Sequence, residues 1–331
     1  MENIVIVNDQ PDFELFAKDD VSADFFVICE SDGENIYESK IAGLKMVDYV
    51  ARACKKRPKI LEIDAGRDYF ECLRPYVGDE PYTVILFANT PLVTKSHISM
   101  ILSYIAGKQM NACRLEKGYV FRTDYFKETD EIFSGDKYGF SSNDFFEVKS
   151  SEEIDFVKTE LIKRILAYHR KNGIEFEDTR TTFVDANSSI YFGSEILSNS
   201  VIENSSIAGG VKIGRNCIIK NSKIGEDVVI GDGAKIYDSI VKNGTAIEED
   251  VLVKSCVVGQ SAKIGYGSSL IQTGVSDDCL IENNVHLKNC RFKQKCRVLA
   301  GCEIFAENEN IKVFDEQTLI EKVGKETEVK E

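Results

Sequence analysis

A hydrophobic residue recurs every five or six positions between residues 184 and 304. After an opening run of sixes, the steps settle to 5, 6 and 6, which gives a period of 17. The residue two positions before each recurring one is always Ser, Thr, Ala, Val or Cys. The recurring residues are Val184, Ile190, Ile196, Ile202, Ile207, Ile213, Ile219, Ile224, Ile230, Ile236, Val241, Ile247, Val253, Val258, Ile264, Leu270, Val275, Ile281, Leu287, Phe292, Val298 and Ile304.

A fixed short period decides the architecture of a chain. Six-residue repeats with one inward hydrophobic residue predict a parallel β-helix with three repeats per triangular coil. Each strand is too short to bury its face alone, so coils must stack about 4.8 Å apart. Short strands of a sandwich would instead recur every 8–12 residues or so. The pattern resembles the hexapeptide-repeat family of acyltransferases and sugar-nucleotide enzymes, and this resemblance implies an all-β left-handed β-helix of about seven coils.

The first 149 residues alternate short apolar runs with helical patterns. This alternation predicts an α/β, Rossmann-like domain with a mostly parallel sheet and helices on both faces. The predicted strands are Ile4–Val7, Phe25–Cys29, Lys59–Ile63, Thr83–Phe87, Ala112–Leu115, Tyr119–Phe121 and Phe145–Val148. The predicted helices include segments within residues 46–54, 69–73 and 98–105.

A linking helix is predicted at residues 150–172, where Ser150 and Glu153 make a capping box and Gly173 ends the helix. Its apolar face consists of Ile154, Val157, Leu161, Ile165 and Tyr168. Four apolar residues after Ile304 predict a short helix that packs back or meets a partner: Phe314, Leu319, Ile320 and Val323. The predicted organisation is an N-terminal domain (1–149), a linking helix (150–173), a β-helix (174–305) and an acidic tail (306–331), disordered over 324–331.

The formal charge of the chain is −14, from 55 acidic and 41 basic residues. This balance argues against nucleic acid or an anionic membrane as the main partner. No apolar run reaches the ~18 residues of a membrane span, and the N-terminus lacks the basic region of a signal peptide. We therefore expect a cytoplasmic protein.

Ten cysteines raise the question of a disulfide framework or a metal site. Six of them occupy the small inward position of the repeat: Cys217, Cys256, Cys279, Cys290, Cys296 and Cys302. Small buried cysteines fit that position, and no spacing such as CxxC indicates zinc. Cys29, Cys54, Cys72 and Cys113 are scattered and are predicted to be core residues.

The layout resembles the bifunctional N-acetylglucosamine-1-phosphate uridylyltransferase / glucosamine-1-phosphate acetyltransferase family. The segment at residues 83–92, TVILFANTPL, is similar to that family's strand followed by Gly-Asp-x-Pro-Leu. The segment at residues 114–119, RLEKGY, lies where the family has Glu-x-Asn-x-Gly. The resemblance implies a sugar-nucleotidyltransferase-like domain, a Mg²⁺-dependent reaction that makes UDP-N-acetylglucosamine, and trimerisation through the β-helix.

Several positions depart from the family's motifs. The loop that should cradle a triphosphate contains Gly33 but also Glu30, Asp32 and Glu34, and it lacks the family's Arg. The resemblance further implies that the Mg²⁺-binding Asp has become Asn89 and the second metal ligand has become Lys149. The two sugar-binding positions fall on Arg114 and Glu116.

The acetyltransferase half would require a general base, usually His. His286 is the candidate in the β-helix, where its neighbour Leu287 points inward. The alternative, a solvated residue on an outer face, is favoured because no hydroxyl, amide or acid partner is identifiable beside it from the spacing. The family's motif of His, Ser and Tyr is absent.

Three hypotheses follow. The first is a pseudoenzyme without cofactor that serves as a scaffold or regulatory subunit, with an active paralogue as its possible partner. The second is an active sugar-1-phosphate nucleotidyltransferase, which would require Mg²⁺, or a hexapeptide acyltransferase with diverged motifs. The third is an assembly module alone. We expect a homotrimer through the β-helix, with a dimer through the N-terminal domains as the alternative.

Overall fold

The computed structural model describes residues 4–7, 21–31, 35–128, 137–140, 143–306, 312–315, 319–323 and 326–330. The chain forms two compact units, residues 1–161 and 162–331. Gly33, Asp32 and Glu34 lie outside the described residues. Among the described residues, no helix has both the length and the apolar character required to span a bilayer.

The first unit is built on a seven-stranded sheet. The strands are β1 (Ile4–Val7), β2 (Ala23–Ser31), β3 (Lys59–Asp64), β4 (Tyr82–Phe87), β5 (Ala112–Arg114), β6 (Tyr119–Arg122) and β7 (Lys137–Phe140). Their order in the sheet is β1-β7-β5-β6-β4-β2-β3. Strand β6 is antiparallel to both of its neighbours, and the other paired strands are parallel. The prediction of a mostly parallel sheet is therefore confirmed.

Helices cover both faces of this sheet. The helices are α1 (Met46–Ala53), α2 (Tyr69–Leu73), α3 (Lys95–Lys108), α4 (Thr123–Glu128) and α5 (Ser151–Lys171). Val27 of β2 points into a core that includes residues of α1 and α3, whereas its neighbour Ile28 points into a core that includes residues of α2 and α4. Shorter elements are 3₁₀ turns at Ile36–Glu38, Arg74–Tyr76 and Asn143–Phe145, and a hairpin of Lys40–Ile41 and Leu44–Lys45.

The predicted strand at Phe145–Val148 is wrong. Phe145 ends a 3₁₀ turn and the next residues have no regular structure. Phe145 and Val148 are buried in two different hydrophobic clusters, and the Val148 N–H donates to the Asn89 carbonyl at 2.9 Å. Burial and this hydrogen bond hold the segment without a strand ladder.

Helix α5 begins as the sequence predicts. The Glu153 carboxylate accepts the N–H groups of Lys149 (2.6 Å) and Ser150 (3.1 Å), and Gly173 follows the helix with a φ of +81°. Tyr168 is a correction to the predicted apolar face, because its exposed fraction is 66%. Leu166 and His169 are the buried residues of this last stretch.

The second unit is a parallel β-helix with three faces. Face one consists of Glu175–Phe176, Glu195–Ile196, Lys212–Ile213, Val229–Ile230, Ala246–Ile247, Lys263–Ile264, Leu280–Ile281, Arg297–Val298 and Leu319–Val323, with Glu326–Lys330 antiparallel at its end. Face two consists of Phe183–Val184, Val201–Glu203, Ile218–Lys220, Lys235–Tyr237, Leu252–Lys254, Ser269–Ile271, His286–Lys288 and Glu303–Phe305. Face three consists of Ser189–Ile190, Ser206–Ile207, Lys223–Ile224, Ile240–Val241, Val257–Val258, Gly274–Val275, Cys290–Phe292 and Lys312–Phe314.

The hydrophobic period predicted this core residue by residue. Every one of the recurring hydrophobic residues is buried, and residues 17 apart pair in register, as in Ile213–Ile230–Ile247. The described residues make eight coils rather than about seven. The difference arises because Glu175–Phe176 and Lys312–Phe314 add strands before and after the periodic run.

The small inward residues contribute hydrogen bonds as well as space. Ser205, Ser222 and Ser239 each accept, through Oγ, the backbone N–H of the residue 17 positions later, at 3.1, 3.1 and 3.0 Å. Cys256 occupies the next position of the same column. All ten cysteines are free thiols, and the six in the β-helix are buried at the inward position, as the repeat predicts. In the first unit, Cys29, Cys54 and Cys113 are buried as predicted, whereas Cys72 is only partly buried.

The predicted helix after Ile304 is wrong, because the chain adds strands there. Lys312–Phe314 continues face three, and the Phe314 ring stacks on that of Phe292 at 4.8 Å. Leu319–Val323 continues face one, and Glu326–Lys330 pairs with it where the sequence predicts disorder. The last coil offers unpaired backbone groups that an added strand can satisfy.

Candidate functional site

Strands β2 and β4 of the first unit are parallel neighbours, so their carboxyl ends meet at one edge of the sheet. Parallel α/β sheets commonly bind ligands outside this edge. Glu30 lies near the end of β2, and Asn89 follows β4. Side chains from three other segments contact them and complete a group that we call the carboxylate–lysine cluster: Glu30, Tyr69, Asn89, Lys117, Glu147 and Lys149.

A tight turn between β5 and β6 positions Lys117. The next residue, Gly118, has a φ of +134°, and a Cβ there would lie 2.8 Å from the Ile85 carbonyl oxygen of β4. Only glycine fits so close to a neighbouring strand at this dihedral angle. The turn thus lies against β4, and Lys117 Nζ is 4.3 Å from the centroid of the Phe87 ring, within range of a cation–π interaction.

The Lys117 ammonium lies between two carboxylates. It is 2.7 Å from Glu147 Oε1 and 3.6 Å from Glu30 Oε2. Tyr69 Oη donates to Glu30 Oε1 at 2.5 Å. Burial, followed by the hydrogen bond to Glu30, raises the pKa of Tyr69 far above its usual value. The phenol therefore stays protonated and fixes one oxygen of Glu30.

The second oxygen of Glu147 is also occupied. Lys149 Nζ lies 3.0 Å from Glu147 Oε2. The Asn89 amide nitrogen lies 3.4 Å from Glu147 Oε1 and 3.2 Å from the Val148 carbonyl. Burial raises the pKa of Glu147, but its hydrogen bonds with Lys117 and Lys149 outweigh this and hold the pKa below its usual value. Glu147 is therefore an ionised carboxylate with a cation at each oxygen.

This donor set does not fit a magnesium ion. Mg²⁺ binds proteins through one or two carboxylates and several waters in near-octahedral geometry, and here each carboxylate of the cluster already contacts an ammonium. Asn89 directs its NH₂ group, not its oxygen, toward Glu147. Within the described ranges, no group of three or more His, Cys, Asp or Glu side chains could hold a metal.

The structure brings together only part of the site expected from the sequence. Asn89 and Lys149 meet through Glu147. Arg114 ends β5, and Glu116 is exposed in the turn that follows. Of the segment at residues 114–119, Lys117 belongs to the carboxylate–lysine cluster. The sequence analysis did not select Lys117, although it directly precedes Gly118, whose position only glycine fits. Glu147 and Tyr69 were also missed, because no local motif marks them.

His286 lies on face two of the β-helix, half-buried. The strand register puts Ser269 and Glu303 on either side of it, neighbours that spacing alone did not identify. Among the described residues, no hydrogen bond or ion pair reaches the imidazole of His286. Ser269 and Glu303 are therefore candidate partners of His286 by register, but the hydrogen bonds of a catalytic array are not formed among the described residues.

Comparison with known proteins gives matches for the β-helix. The family model described as GMPPB C-terminal domain matches residues 201–314. The UDP-N-acetylglucosamine acyltransferase of Francisella novicida is 18% identical, with a TM-score of 0.21, over 40% of this chain and 59% of that enzyme. LpxA, a UDP-N-acetylglucosamine acyltransferase of Bacteroides fragilis, is 16% identical, with a TM-score of 0.27, over 45% of this chain and 74% of that one. No curated protein matches the chain. The family match is thus confined to β-helix residues.

Proposed function

We propose that this chain is a non-catalytic relative of the sugar-1-phosphate nucleotidyltransferases that carry a hexapeptide β-helix, and that it acts as a scaffold or regulatory subunit. One observation carries the proposal: the Lys117 ammonium lies between Glu30 and Glu147, at the sheet edge where the sequence resemblance implies a catalytic metal. The match of residues 201–314 to the GMPPB C-terminal domain supports the relationship for the β-helix.

The electrostatics of the cluster favour this proposal over catalysis. Nucleotidyl transfer develops negative charge that metal ions and preorganised cations stabilise in the transition state. In the cluster, the charges of Lys117 and Lys149 are matched by those of Glu30 and Glu147, to which they are bound. Little positive charge is left to stabilise a transferring phosphate.

The same groups can still bind a polar ligand without reacting with it. The carboxylates accept hydrogen bonds, the lysines donate them, and the exposed face of Lys149 gives access from solvent, with 68% of its side chain exposed. Sugar hydroxyl groups match this mixture of donors and acceptors. A regulatory subunit would sense such a ligand and pass the signal to an active paralogue in the same complex.

We also propose that the chain forms a homotrimer through the β-helix. On face three, the exposed apolar residues Ile240 and Val257 lie side by side in register, and Gly274 continues their row. The exposed fractions of Ile240 and Val257 are 44% and 46%. Apolar residues aligned on a flat outer face suit association with copies of the same chain.

A Mg²⁺ titration by calorimetry tests the proposal about the cluster. We expect no Mg²⁺ binding to the wild-type chain and binding to Lys117→Gln, because that variant leaves two carboxylates without their shared cation. Lys158→Gln, an exposed position on α5, is the matched control and should not bind Mg²⁺. Binding to the wild-type chain that Glu147→Gln abolishes would overturn the proposal. A thermal-shift screen with nucleoside triphosphates, sugar nucleotides, sugar phosphates and coenzyme A would identify ligands.

Acyl transfer at His286 is the second candidate, favoured by the register that aligns Ser269, His286 and Glu303. A general base requires a partner within hydrogen-bonding reach. Release of free thiol from acetyl-coenzyme A in the presence of a sugar amine, abolished by His286→Ala, would support this function over the scaffold.

A further inference from the structure

A basic pocket of about 690 Å³ lies on the first unit, between α1, the loop that follows it and the start of α3. Its single acidic lining residue is Asp48. We define the basic pocket by its five cationic lining residues: Arg52, Lys55, Lys56, Arg57 and Lys95. The chain as a whole carries a charge of −14, so this concentration of positive charge runs against its overall composition.

Helix capping and ion pairing account for only part of this charge. Arg52 lies in the last turn of α1, where a cation interacts favourably with the helix dipole. Lys56 forms an ion pair with Glu80, which also accepts a hydrogen bond from Ser22. Arg57 lies beyond the end of α1, and Lys95 belongs to a different helix. Their convergence on one cavity is not explained by the local structure of either helix.

The start of α3 adds to the positive potential. Lys95 is the first residue of this 14-residue helix, whose N-cap Thr94 accepts the His97 N–H at 3.4 Å. The N-terminal end of a helix carries a partial positive charge that favours anions. The pocket therefore combines five cationic side chains with the N-terminal end of α3, and none of its residues belongs to the carboxylate–lysine cluster.

We propose that the basic pocket binds the phosphate groups of a soluble polyphosphate, such as a nucleoside diphosphate or triphosphate. Arginine forks bind phosphate oxygens in pairs, and lysines act as point charges. The cavity volume lies in the range of about 300–1,000 Å³ that is typical of small-molecule sites. Leu44, Ala51 and Pro58 provide apolar lining that could contact the rest of such a ligand. The inference stands independently of the proposed function, because it uses different residues and requires no catalysis.

The test is calorimetric titration of the full chain with inorganic tripolyphosphate in the absence of metal. We expect saturable binding that weakens as salt is added. The double variant Arg57→Glu/Lys95→Glu should weaken it at least about a hundredfold, because two charge-assisted contacts are lost. The matched control is Lys212→Glu/Lys263→Glu, which reverses two exposed lysines on face one of the β-helix. It makes the same change in net charge and should bind like the wild type.

The neutral variant Arg57→Gln/Lys95→Gln tests whether charge reversal weakens binding only by unfolding the chain. It should bind tripolyphosphate with intermediate affinity and have the melting temperature of the wild type. No binding of tripolyphosphate to the wild type, or equal weakening in the pocket and control variants, would overturn the inference. Binding only to vesicles of phosphatidylcholine with phosphatidylinositol bisphosphate, or only to RNA, would also overturn it in favour of a membrane or nucleic-acid surface. Each of these outcomes leaves the Mg²⁺ titration of the carboxylate–lysine cluster unaffected.

Discussion

The ammonium of Lys117 lies 2.7 Å from the carboxylate of Glu147 and joins two segments that are 30 residues apart in the chain. Both side chains are partly buried, with exposed fractions of 23% and 22%. Lys117 also contacts Glu30, and Lys149 contacts the other oxygen of Glu147. At this edge of the sheet, the chain thus has an internal ion-pair network.

Removing the Lys117 charge should destabilise the first unit. Lys117→Gln leaves Glu30 and Glu147 without their shared cation, and we expect a loss of about 1–3 kcal/mol, between the values for surface and buried pairs. Hydrogen exchange of the β4 amides measures this free energy locally. Lys158→Gln, on the exposed side of α5, should change it by less than about 0.5 kcal/mol. Equal exchange rates in both variants would mean that the ion pairs contribute nothing.

Acid should weaken the same region through Glu147. The pKa of this carboxyl is lower in the folded chain than its ordinary value of 4.5. Its ion pairs therefore contribute fully above pH 4.5, and the contribution is lost as pH falls through the lower folded pKa. Glu147→Gln should flatten the acid dependence of the first unit's stability, whereas Glu152→Gln, at an exposed residue of α5, should not. An unchanged acid profile in Glu147→Gln would contradict this assignment.

A charged residue in the buried inward column of the β-helix should lower the stability of the fold. Ile247 is 1% exposed, and Ile247→Asp would bury a carboxylate without a partner, at a cost of several kcal/mol. Cys256→Ser is the mild counterpart, with an expected cost below about 1.5 kcal/mol. Ser222 and Ser239 already fill equivalent positions, and Cys256 accepts the Thr273 N–H at 3.3 Å as they accept theirs. Thermal unfolding measures both effects, and a wild-type melting temperature for Ile247→Asp would disprove the register.

A charge on face three should disrupt the proposed trimer. Light scattering of the wild-type chain should give three times the chain mass of 37.1 kDa, and Val257→Asp should shift this toward the single-chain mass. Val229→Asp is the control, because Val229 is a similarly exposed valine, at 48%, on face one. A wild-type mass of one or two chains at micromolar concentration would rule out the trimer.

The β-helix could be predicted closely because its information is local and periodic. The hydrophobic character of Ile213, Ile230 and Ile247 predicts that each is buried, as observed. The period of 17 predicts which residues pair between neighbouring coils. The tail shows the limit of this approach. Phe314 and Ile320 do not continue the period of 17, so the sequence predicted a helix for this segment. In the structure, both lie in strands that pair with the open edge of the last coil.

The carboxylate–lysine cluster could not be predicted in the same way. Its members come from five separate segments, and Lys117 meets Glu147 only after the sheet has formed. Sequence reasoning selected Asn89 and Lys149 by resemblance to a family, but it could not identify Glu147, the residue that connects them. Ion pairs between distant segments produce no regular spacing of residues in the sequence. Repeated burial of one residue per strand does produce such a spacing.

We predict that the chain does not catalyse nucleotidyl transfer, a reaction that is measured by pyrophosphate release from UTP and N-acetylglucosamine 1-phosphate. Loss of even one key electrostatic contact lowers rates by about 10²–10³. We therefore predict no turnover with Mg²⁺ or with a chelator. Turnover above ~0.1 s⁻¹, a tenth of the low end of ordinary enzyme rates, would show that the chain is an active nucleotidyltransferase. Activity that persists in the chelator but is abolished by Lys149→Ala or Lys117→Ala would assign the metal's role to a lysine.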